Sequence, residues 1–338
     1  MAYTTIDNPE LYFQAKLYTG TGSSASITLD GDEDMQPDLV WIKKRNASVG
    51  HRVYDAVRGV QNTLYTHDPA TEATGQSTTL TAFNSDGFTV ISESGVNASS
   101  DTYVAWCWKE SATAGFDIVG YTGNATDDVD ISHSLSAVPH VIIVKNRDNA
   151  NNENWNVYHH KNTSAPETDY LHLNLTNATA DNDEWWSDEV PTSSVFTIGR
   201  QDTVNTSSGN HIAYLWSEKQ GFSKFGSYTG NGDADGPFIY TGFRPAFLIY
   251  KCVDQVDHWE MHDNKRDTVN PMDTLLYPNR DAAESDPAST TDRLDFLSNG
   301  FKMRTGSSDY NGSGNDYIYI AFAEAPFVNS NGVPNNAR

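Results

Sequence analysis

Three groups of residues in this chain have side chains that could bind a ligand. The first is a set of histidines, because His159, His160 and His172 lie close together in the sequence and imidazole is a common transition-metal ligand. Neighbouring residues on a strand point to opposite faces, so His159 and His160 cannot both face one ion. The histidines therefore do not predict a metal site, and no metal ligand is assigned.

The second group is a set of acidic loops at residues 30–34, 126–130 and 232–236, each of which follows a Tyr-Thr-Gly motif. Oxygen-rich loops at the edge of a sheet can hold calcium. None of the three follows a dedicated calcium-loop pattern, and solvated acid is the commoner explanation of such loops. We expect no cofactor, with calcium as the alternative.

The third group is the tandem pair Trp185 and Trp186, in a polar stretch at residues 174–188. We interpret the two rings as a pair that cannot both lie in a core. An exposed ring can stack on a sugar or anchor a protein contact, whereas packing against the adjacent part of the chain is the alternative. Trp185 and Trp186 are the residues predicted to contact a partner or a glycan.

Motifs for known catalytic chemistry are missing from the sequence. It contains no G-x-S-x-G nucleophile motif, no G-x-x-x-x-G-K-[ST] phosphate loop and no H-E-x-x-H zinc motif. Paired carboxylates would suit glycoside hydrolysis, but nothing in so acidic a chain selects one pair. We predict a protein that is not an enzyme.

The charge of the chain argues against two classes of partner. The 45 acidic and 22 basic residues give a net charge of -23, which repels nucleic-acid phosphates and anionic lipid surfaces. No apolar run approaches the roughly 18 residues of a membrane span. The two cysteines, Cys107 and Cys252, are expected to be free thiols. We therefore expect neither nucleic-acid binding nor membrane insertion.

The elements that must position these residues recur three times along the chain. Tyr-Thr-Gly stands at residues 18–20, 121–123 and 228–230, and a proline, an apolar run and a lysine stand at 37–43, 139–145 and 245–251. A closing strand carries Ala105, Ala213 and Ala321, at intervals of 108 residues. A repeat of this length can bury a core of its own. We read a leader at residues 1–11, repeats at 12–111, 115–219 and 221–328, and a tail at 329–338.

Short alternating runs separated by Gly, Asn and Asp turns predict strands throughout. The predicted fold is all-β, with three tandem antiparallel β-sandwich repeats of the jelly-roll or lectin-like kind. The run after each proline is apolar on both faces, which predicts a central strand whose lysine exits to solvent. Trp41 and Trp106 are predicted to be buried.

Five motifs in the first repeat occur together. They are Tyr-Thr-Gly-Thr-Gly at 18–22, Gln-Pro-Asp-Leu-Val-Trp-Ile-Lys at 36–43, Asp-Ala-Val-Arg-Gly at 55–59, Phe-Asn-Ser-Asp-Gly-Phe-Thr-Val at 83–90 and Tyr-Val-Ala-Trp-Cys-Trp-Lys at 103–109. This combination resembles virion structural proteins, known as tail or tail-fibre proteins, from tailed bacteriophages of marine bacteria. The second repeat departs from the pattern by lacking Asn-Ser-Asp-Gly, and the third has Phe322 and Glu324 in place of the closing tryptophans.

The resemblance implies a place in a virion more than a chemistry. We expect a non-enzymatic virion structural protein of the tail or a tail appendage, assembled in the host cytoplasm. Its expected partners are other virion proteins, further copies of itself as a homo-oligomer, and a host-surface glycan. One alternative is a capsid-surface decoration or cementing protein, because no fibre repeat is visible. A second alternative, from another class, is a glycan-degrading enzyme.

Overall fold

A computed structural model of the chain describes residues 2–148, 153–285 and 293–336. Every strand pairing in these ranges is antiparallel, and the three α-helices (α1 Asp183–Trp186, α2 Asp202–Asn205, α3 Ser308–Asn311) have four residues each. Short 3-10 turns lie at Pro9–Leu11 and Pro166–Thr168. The all-β prediction is confirmed. No helix in the described ranges is long and apolar enough to cross a membrane.

The strands form a large and a small sheet in each of three successive segments, which we call the first, second and third sandwich. The first contains β1 Phe13–Thr19, β2 Ala25–Ile27, β3 Leu39–Lys44, β4 Arg52–Asp55, β5 Leu80–Asn84, β6 Gly87–Val90 and β7 Thr102–Trp108. The second contains β8 Phe116–Thr122, β9 Val129–Ser132, β10 Val141–Asn146, β11 Trp155–His159, β12 Asp169–His172, β13 Ala180–Asp181, β14 Val195–Ile198 and β15 Asn210–Trp216. The third contains β16 Ser223–Thr229, β17 Phe238–Tyr240, β18 Phe243–Cys252, β19 Glu260–Asp263, β20 Leu294–Leu297, β21 Gly300–Met303 and β22 Asp316–Pro326.

The same strand order recurs in the three large sheets. They run β1-β7-β3-β4, β8-β15-β10-β11 (continued by β12 and β13) and β16-β22-β18-β19. The small sheets are β2-β6-β5, β9-β14 and β17-β21-β20. The apolar run of each proline motif lies in β3, β10 or β18, which has strand neighbours on both sides, and the residues of each run are buried as predicted.

Each large sheet is covered on both faces. One face packs on the small sheet of the same sandwich, as in the cluster around Val40, Tyr54 and Phe88. The other face joins residues of all three sandwiches in one central core, where Trp108 lies 6.5 Å from Trp216 and 5.7 Å from Phe322 between ring centroids. An apolar cavity of about 30 Å³ at this centre is lined by residues of all three sandwiches: Leu39, Trp41, Trp108, Ile143, Trp216, Phe247, Ile249, Ile320 and Phe322. The domain boundaries read from the sequence stay predictions, because the sandwiches share this core.

The register of the third closing strand corrects the sequence alignment by two residues. Ala105 pairs with Ile42, and Ala213 with Val144, but the position that corresponds to them in β22 is Tyr319, which pairs with Tyr250. Residues two apart on a strand share a face, so the apolar pattern alone fits either alignment. The backbone makes room for the larger side chain because its partner on β16 is Gly226.

The lysines at the ends of the central strands do not exit to solvent as predicted. Lys43, Lys145 and Lys251 are fully buried, and burial lowers the pKa of each to about 8. Each ammonium group donates to carbonyl oxygens of the turn that follows its strand; Lys145, for example, donates to Asn146 O and Glu153 O at 2.8 Å. A long side chain that folds back on its own turn satisfies its donors without reaching water.

Candidate functional site

Trp185 and Trp186 both lie in the core of the second sandwich, so the interpretation that they cannot both be core residues is wrong. They are 7% and 2% exposed, respectively. The turn α1 places both rings under the small sheet, where Trp185 stacks on Tyr170 with ring centroids 3.7 Å apart and donates Nε1–H to Asn156 at 2.8 Å. Trp186 packs edge-on against Tyr158. The sequence stretch has the polarity of a loop, but a four-residue helix turns both rings inward, and neither can stack on an external sugar.

The three histidines are dispersed into separate contacts. His159 Nε2 faces the carbonyl of Tyr319 at 3.1 Å, and His160 Nε2 faces the carbonyl of Phe225 at 2.5 Å. Burial lowers the pKa of His159 to about 3 and of His160 to about 4. Both rings are therefore neutral donors to backbone carbonyls of the third sandwich.

The acidic loops have basic partners within the chain. Asp30 lies 3.5 Å from Lys16 and 3.4 Å from Lys265, and Asp235 lies 2.7 Å from Lys302. These ion pairs are exposed and contribute little to stability. They give the carboxylates a structural role that the sequence did not show.

A different acidic group was missed by the sequence. The carboxylates of Asp257, Glu260 and Asp309, from a loop, a strand and a helix, come within 4.8 Å of one another. Burial raises the pKa of Asp257 and of Glu260, and Tyr250 donates to Glu260 at 2.7 Å. Protonation of Asp257 or Glu260 would reduce the repulsion among the three carboxyl groups.

Networks of buried polar side chains lie where the sandwiches meet. We call these contacts the first joint (between the first and second sandwich), the second joint (between the second and third) and the third joint (between the third and first). In the first joint, Asp55 and Arg58 are fully buried, and Arg58 Nε donates to the Asp55 carboxylate at 2.5 Å. Arg58 also donates to Glu72 at 2.6 Å, and Glu72 accepts from Arg147 of the second sandwich at 2.7 Å. Tyr214 of the second sandwich donates to Asp55 at 2.7 Å.

The third joint repeats this network with Asp263, Arg266 and Glu284. Arg266 Nε donates to Asp263 at 2.5 Å, Glu284 accepts from Arg45 of the first sandwich at 2.5 Å, and Trp106 Nε1 donates to Asp263 at 3.0 Å. Buried ion pairs overcome their desolvation cost only when further hydrogen bonds satisfy the charged groups, and the Arg58 and Arg266 side chains each donate to backbone carbonyls as well as to carboxylates.

The second joint has different residues at the corresponding positions. His159, Asn162 and Thr179 replace the Asp, Arg and Glu, and Thr179 donates to Asn162 at 2.7 Å. The third sandwich offers Ile320 where the other joints have the donors Tyr214 and Trp106, and His159 donates to the adjacent carbonyl of Tyr319 instead. In the second joint the third sandwich lacks the side-chain donor and the second sandwich lacks the carboxylate. These two differences therefore compensate each other.

A ring nitrogen also donates across each joint to a backbone carbonyl. Trp155 donates to Tyr65 O at 2.9 Å, Trp259 donates to His172 O at 2.9 Å, and His51 Nε2 contacts Tyr277 O at 3.0 Å. Because a carbonyl only accepts, His51 is a neutral donor at Nε2, and its Nδ1 accepts from Trp41 at 2.8 Å. The sandwiches are thus closed into a ring by related contacts at all three joints.

An open cleft lies where the leader meets the third sandwich. Its volume is about 330 Å³, and it is lined by Tyr3, Glu218, Gln220, Ser223, Lys224, Tyr240, Thr241 and Gly242. Tyr3 donates to the carbonyl of Gly242 at 2.8 Å and lies 2.9 Å from the Tyr240 hydroxyl. Gly242 has φ +85°, and a Cβ there would lie 2.6 Å from the Tyr3 hydroxyl. This cleft could not be recognised from the sequence, because its walls come from three separate parts of the chain: residue 3, residues 218–224 and residues 240–242.

Comparison with known proteins gives one result that covers nearly the whole chain. The sequence matches the model of a family described as a domain of unknown function (DUF7483) over residues 8–326. A search of the curated proteins finds no match. The matched range contains all three sandwiches and all three joints. The chain therefore belongs to the DUF7483 family.

Proposed function

We propose that this protein is a non-enzymatic structural subunit of a tailed-phage particle, placed in the tail or a tail appendage. The observation that carries the proposal is that the motifs with the phage resemblance build the joints. Asp55 and Arg58 of the Asp-Ala-Val-Arg-Gly motif form the buried pair of the first joint. Trp41 donates to His51, which crosses the third joint, and Trp106 donates across the same joint to Asp263.

These roles support a structural function rather than a catalytic one. The motif residues Asp55 and Arg58 are buried and hydrogen-bonded within the ring, where they hold the first and second sandwiches together. What they produce is a body with a shared apolar core and an acidic outer surface. In the particle it would pack as a homo-oligomer against other virion proteins, with host-surface glycan contact on an outer face.

The experiment is localisation in purified particles. Antibodies raised against the purified protein are applied to intact phage that encode it, and labelling is read by electron microscopy, with particles of an unrelated phage as the control. We expect label on the tail or its appendages. Absence of the protein from purified particles would refute the proposal, as would release of reducing sugar from host polysaccharide by the purified chain.

A second placement, on the capsid surface, is favoured by one specific observation. Three sandwiches arranged in a ring around one central core present related outer faces about a common axis. A single chain of this shape could occupy a local threefold position of an icosahedral shell, because its three sandwiches offer related faces to three symmetry-related neighbours. Label on the capsid in the same experiment would select this placement over the tail.

A further inference from the structure

The outer face of β17 differs from the same face in the other two sandwiches. In each small sheet, a buried isoleucine is paired with a buried phenylalanine of the neighbouring strand: Ile27 with Phe88, Ile131 with Phe196 and Ile239 with Phe301. The residues on either side of the isoleucine point outward. They are Ser26 and Thr28 in the first sandwich, Asp130 and Ser132 in the second, and Phe238 and Tyr240 in the third.

The fold does not need aromatic residues at these two positions, because the other two sandwiches form the same pairing with small or charged ones. Phe238 and Tyr240 are nevertheless 46% and 52% exposed. Residues two apart on a strand lie on one face, so the two rings form one aromatic surface. Exposed aromatic rings that the fold does not require are typical of a binding surface.

The cleft beside Tyr240 supplies both hydrogen-bond donors and hydrogen-bond acceptors. The Tyr3 hydroxyl donates its hydrogen bond to the Gly242 carbonyl, so the Tyr240 hydroxyl is the donor in its bond with Tyr3. The Tyr240 oxygen can therefore accept a hydrogen bond from a ligand. Lys224 uses one of its three protons on Glu218, at 2.8 Å, and the Gln220 side chain is exposed at the rim. Donors and acceptors therefore lie next to an apolar ring surface.

The charge of the cleft disfavours an anionic ligand. Glu218 and Lys224 neutralise each other, and the chain as a whole carries a net charge of -23 that repels anions. A volume of about 330 Å³ is at the lower end of small-molecule sites. A sugar ring has an apolar C–H face for an aromatic ring and hydroxyl groups for the polar wall, which matches both parts of the surface.

We propose that the outer face of β17, with Phe238 and Tyr240, and the adjoining cleft bind a neutral saccharide. This proposal assigns a place to the host-surface glycan contact of the proposed function. It rests on that contact and not on the placement of the protein in the particle. Binding is measured with the purified full chain, so failure here can be told from failure of the particle placement.

The test uses an array of neutral hexasaccharides of glucose, galactose, mannose and N-acetylglucosamine, with sialylated and sulfated oligosaccharides alongside. We expect the wild type to bind at least one neutral oligosaccharide and none of the anionic ones. The variant Phe238→Ser with Tyr240→Thr, which carries the residues of the first sandwich, should bind about tenfold or more weakly. Gln220→Ala should bind about fivefold more weakly, as expected for one lost hydrogen bond.

The matched control is Asp130→Ser with Ser132→Thr, which makes the second sandwich carry the same two residues. It should bind as the wild type does, and thermal melting should show that all variants are folded. The proposal is overturned if the wild type binds no neutral oligosaccharide, if it binds only anionic ones, or if the Phe238 and Tyr240 double variant binds as tightly as the control. Loss of particle incorporation by that variant without any saccharide binding would assign the surface to a protein partner and also overturn it.

Discussion

The hydrogen bond from Tyr214 to Asp55 offers a direct measure of how strongly the first joint holds. Tyr214→Phe removes only the hydroxyl, which donates at 2.7 Å to a carboxylate that is fully buried. Asp55 keeps its two bonds from Arg58, at 2.8 and 2.5 Å, so its charge is not left unpaired. A hydrogen bond to a charged group contributes about 1.5–3 kcal/mol, and we expect a loss of about 2 kcal/mol in the free energy of unfolding.

Urea unfolding followed by tryptophan fluorescence gives the measurement. The m value should not change, because a ring with one central core exposes the same surface when it unfolds as a unit. The matched control is Tyr54→Phe, which removes the hydroxyl of another buried tyrosine. That hydroxyl accepts a 3.3 Å bond from Thr63 inside the first sandwich, and its loss should cost about 1 kcal/mol or less.

A double-mutant cycle with Asp55→Asn isolates the interaction across the joint. The coupling between Tyr214→Phe and Asp55→Asn should be about 1 kcal/mol or more, because both variants act on one buried contact. A loss below about 0.5 kcal/mol for Tyr214→Phe, or one no larger than that of the Tyr54→Phe control, would refute the view that the joints hold the ring together.

Three further outcomes can be checked by the same unfolding assay. Burial lowers the pKa of His159 to about 3, so below the ordinary value of 6.5 the unfolded chain binds a proton that the folded chain does not. Stability should therefore fall as the pH falls, by about 1.7 kcal/mol from this group between pH 6.5 and 5, and His159→Gln should make the fall shallower. Trp106→Ala should cost about 3–5 kcal/mol, because the ring is fully buried; a cost near zero would contradict its place in the core. Gly226→Val should cost about 1–3 kcal/mol, because a Cβ there would lie 2.5 Å from the Tyr319 hydroxyl. Adding Tyr319→Ala should restore part of this loss, and simple addition of the two costs would count against the pairing.

The strands could be predicted from the sequence because their signals are local. A proline before an apolar run, or Asn-Ser-Asp-Gly between two alternating runs, specifies a strand start or a turn within a few residues. Trp41 and Trp106 were correctly predicted to be buried for the same reason, since their alternation with neighbours assigns them to a covered face. Cys107 and Cys252 are free and buried, as the alignment of the strands indicated.

The residues that were missed depend on contacts between distant parts of the chain. In the sequence, Asp55 and Arg58 belong to a short motif that looks like a loop. No residue near them indicates that Tyr214, 159 residues away, donates to Asp55. The aromatic pair on β17 was missed because Phe238 and Tyr240 look like ordinary strand residues. A comparison of the outward positions beside each buried isoleucine would have found them, since only the third sandwich places rings there.

The leader and the tail meet near the third joint, which affects how the order of the sandwiches in the chain could be changed. Asp7 accepts a hydrogen bond from the backbone N–H of Ser330 at 2.7 Å, and Thr4 donates to Gln220 O at the same distance. The peptide chain runs from one sandwich to the next at the first and second joints, whereas the third joint is held by non-covalent contacts, among them the backbone hydrogen bond from Glu284 N to Arg45 O at 2.7 Å. A circular permutant that joins the two ends by a short peptide and opens the link at residues 111–115 would keep every joint. We expect the contacts at the joints to form in such a permutant although a different sandwich comes first in the chain.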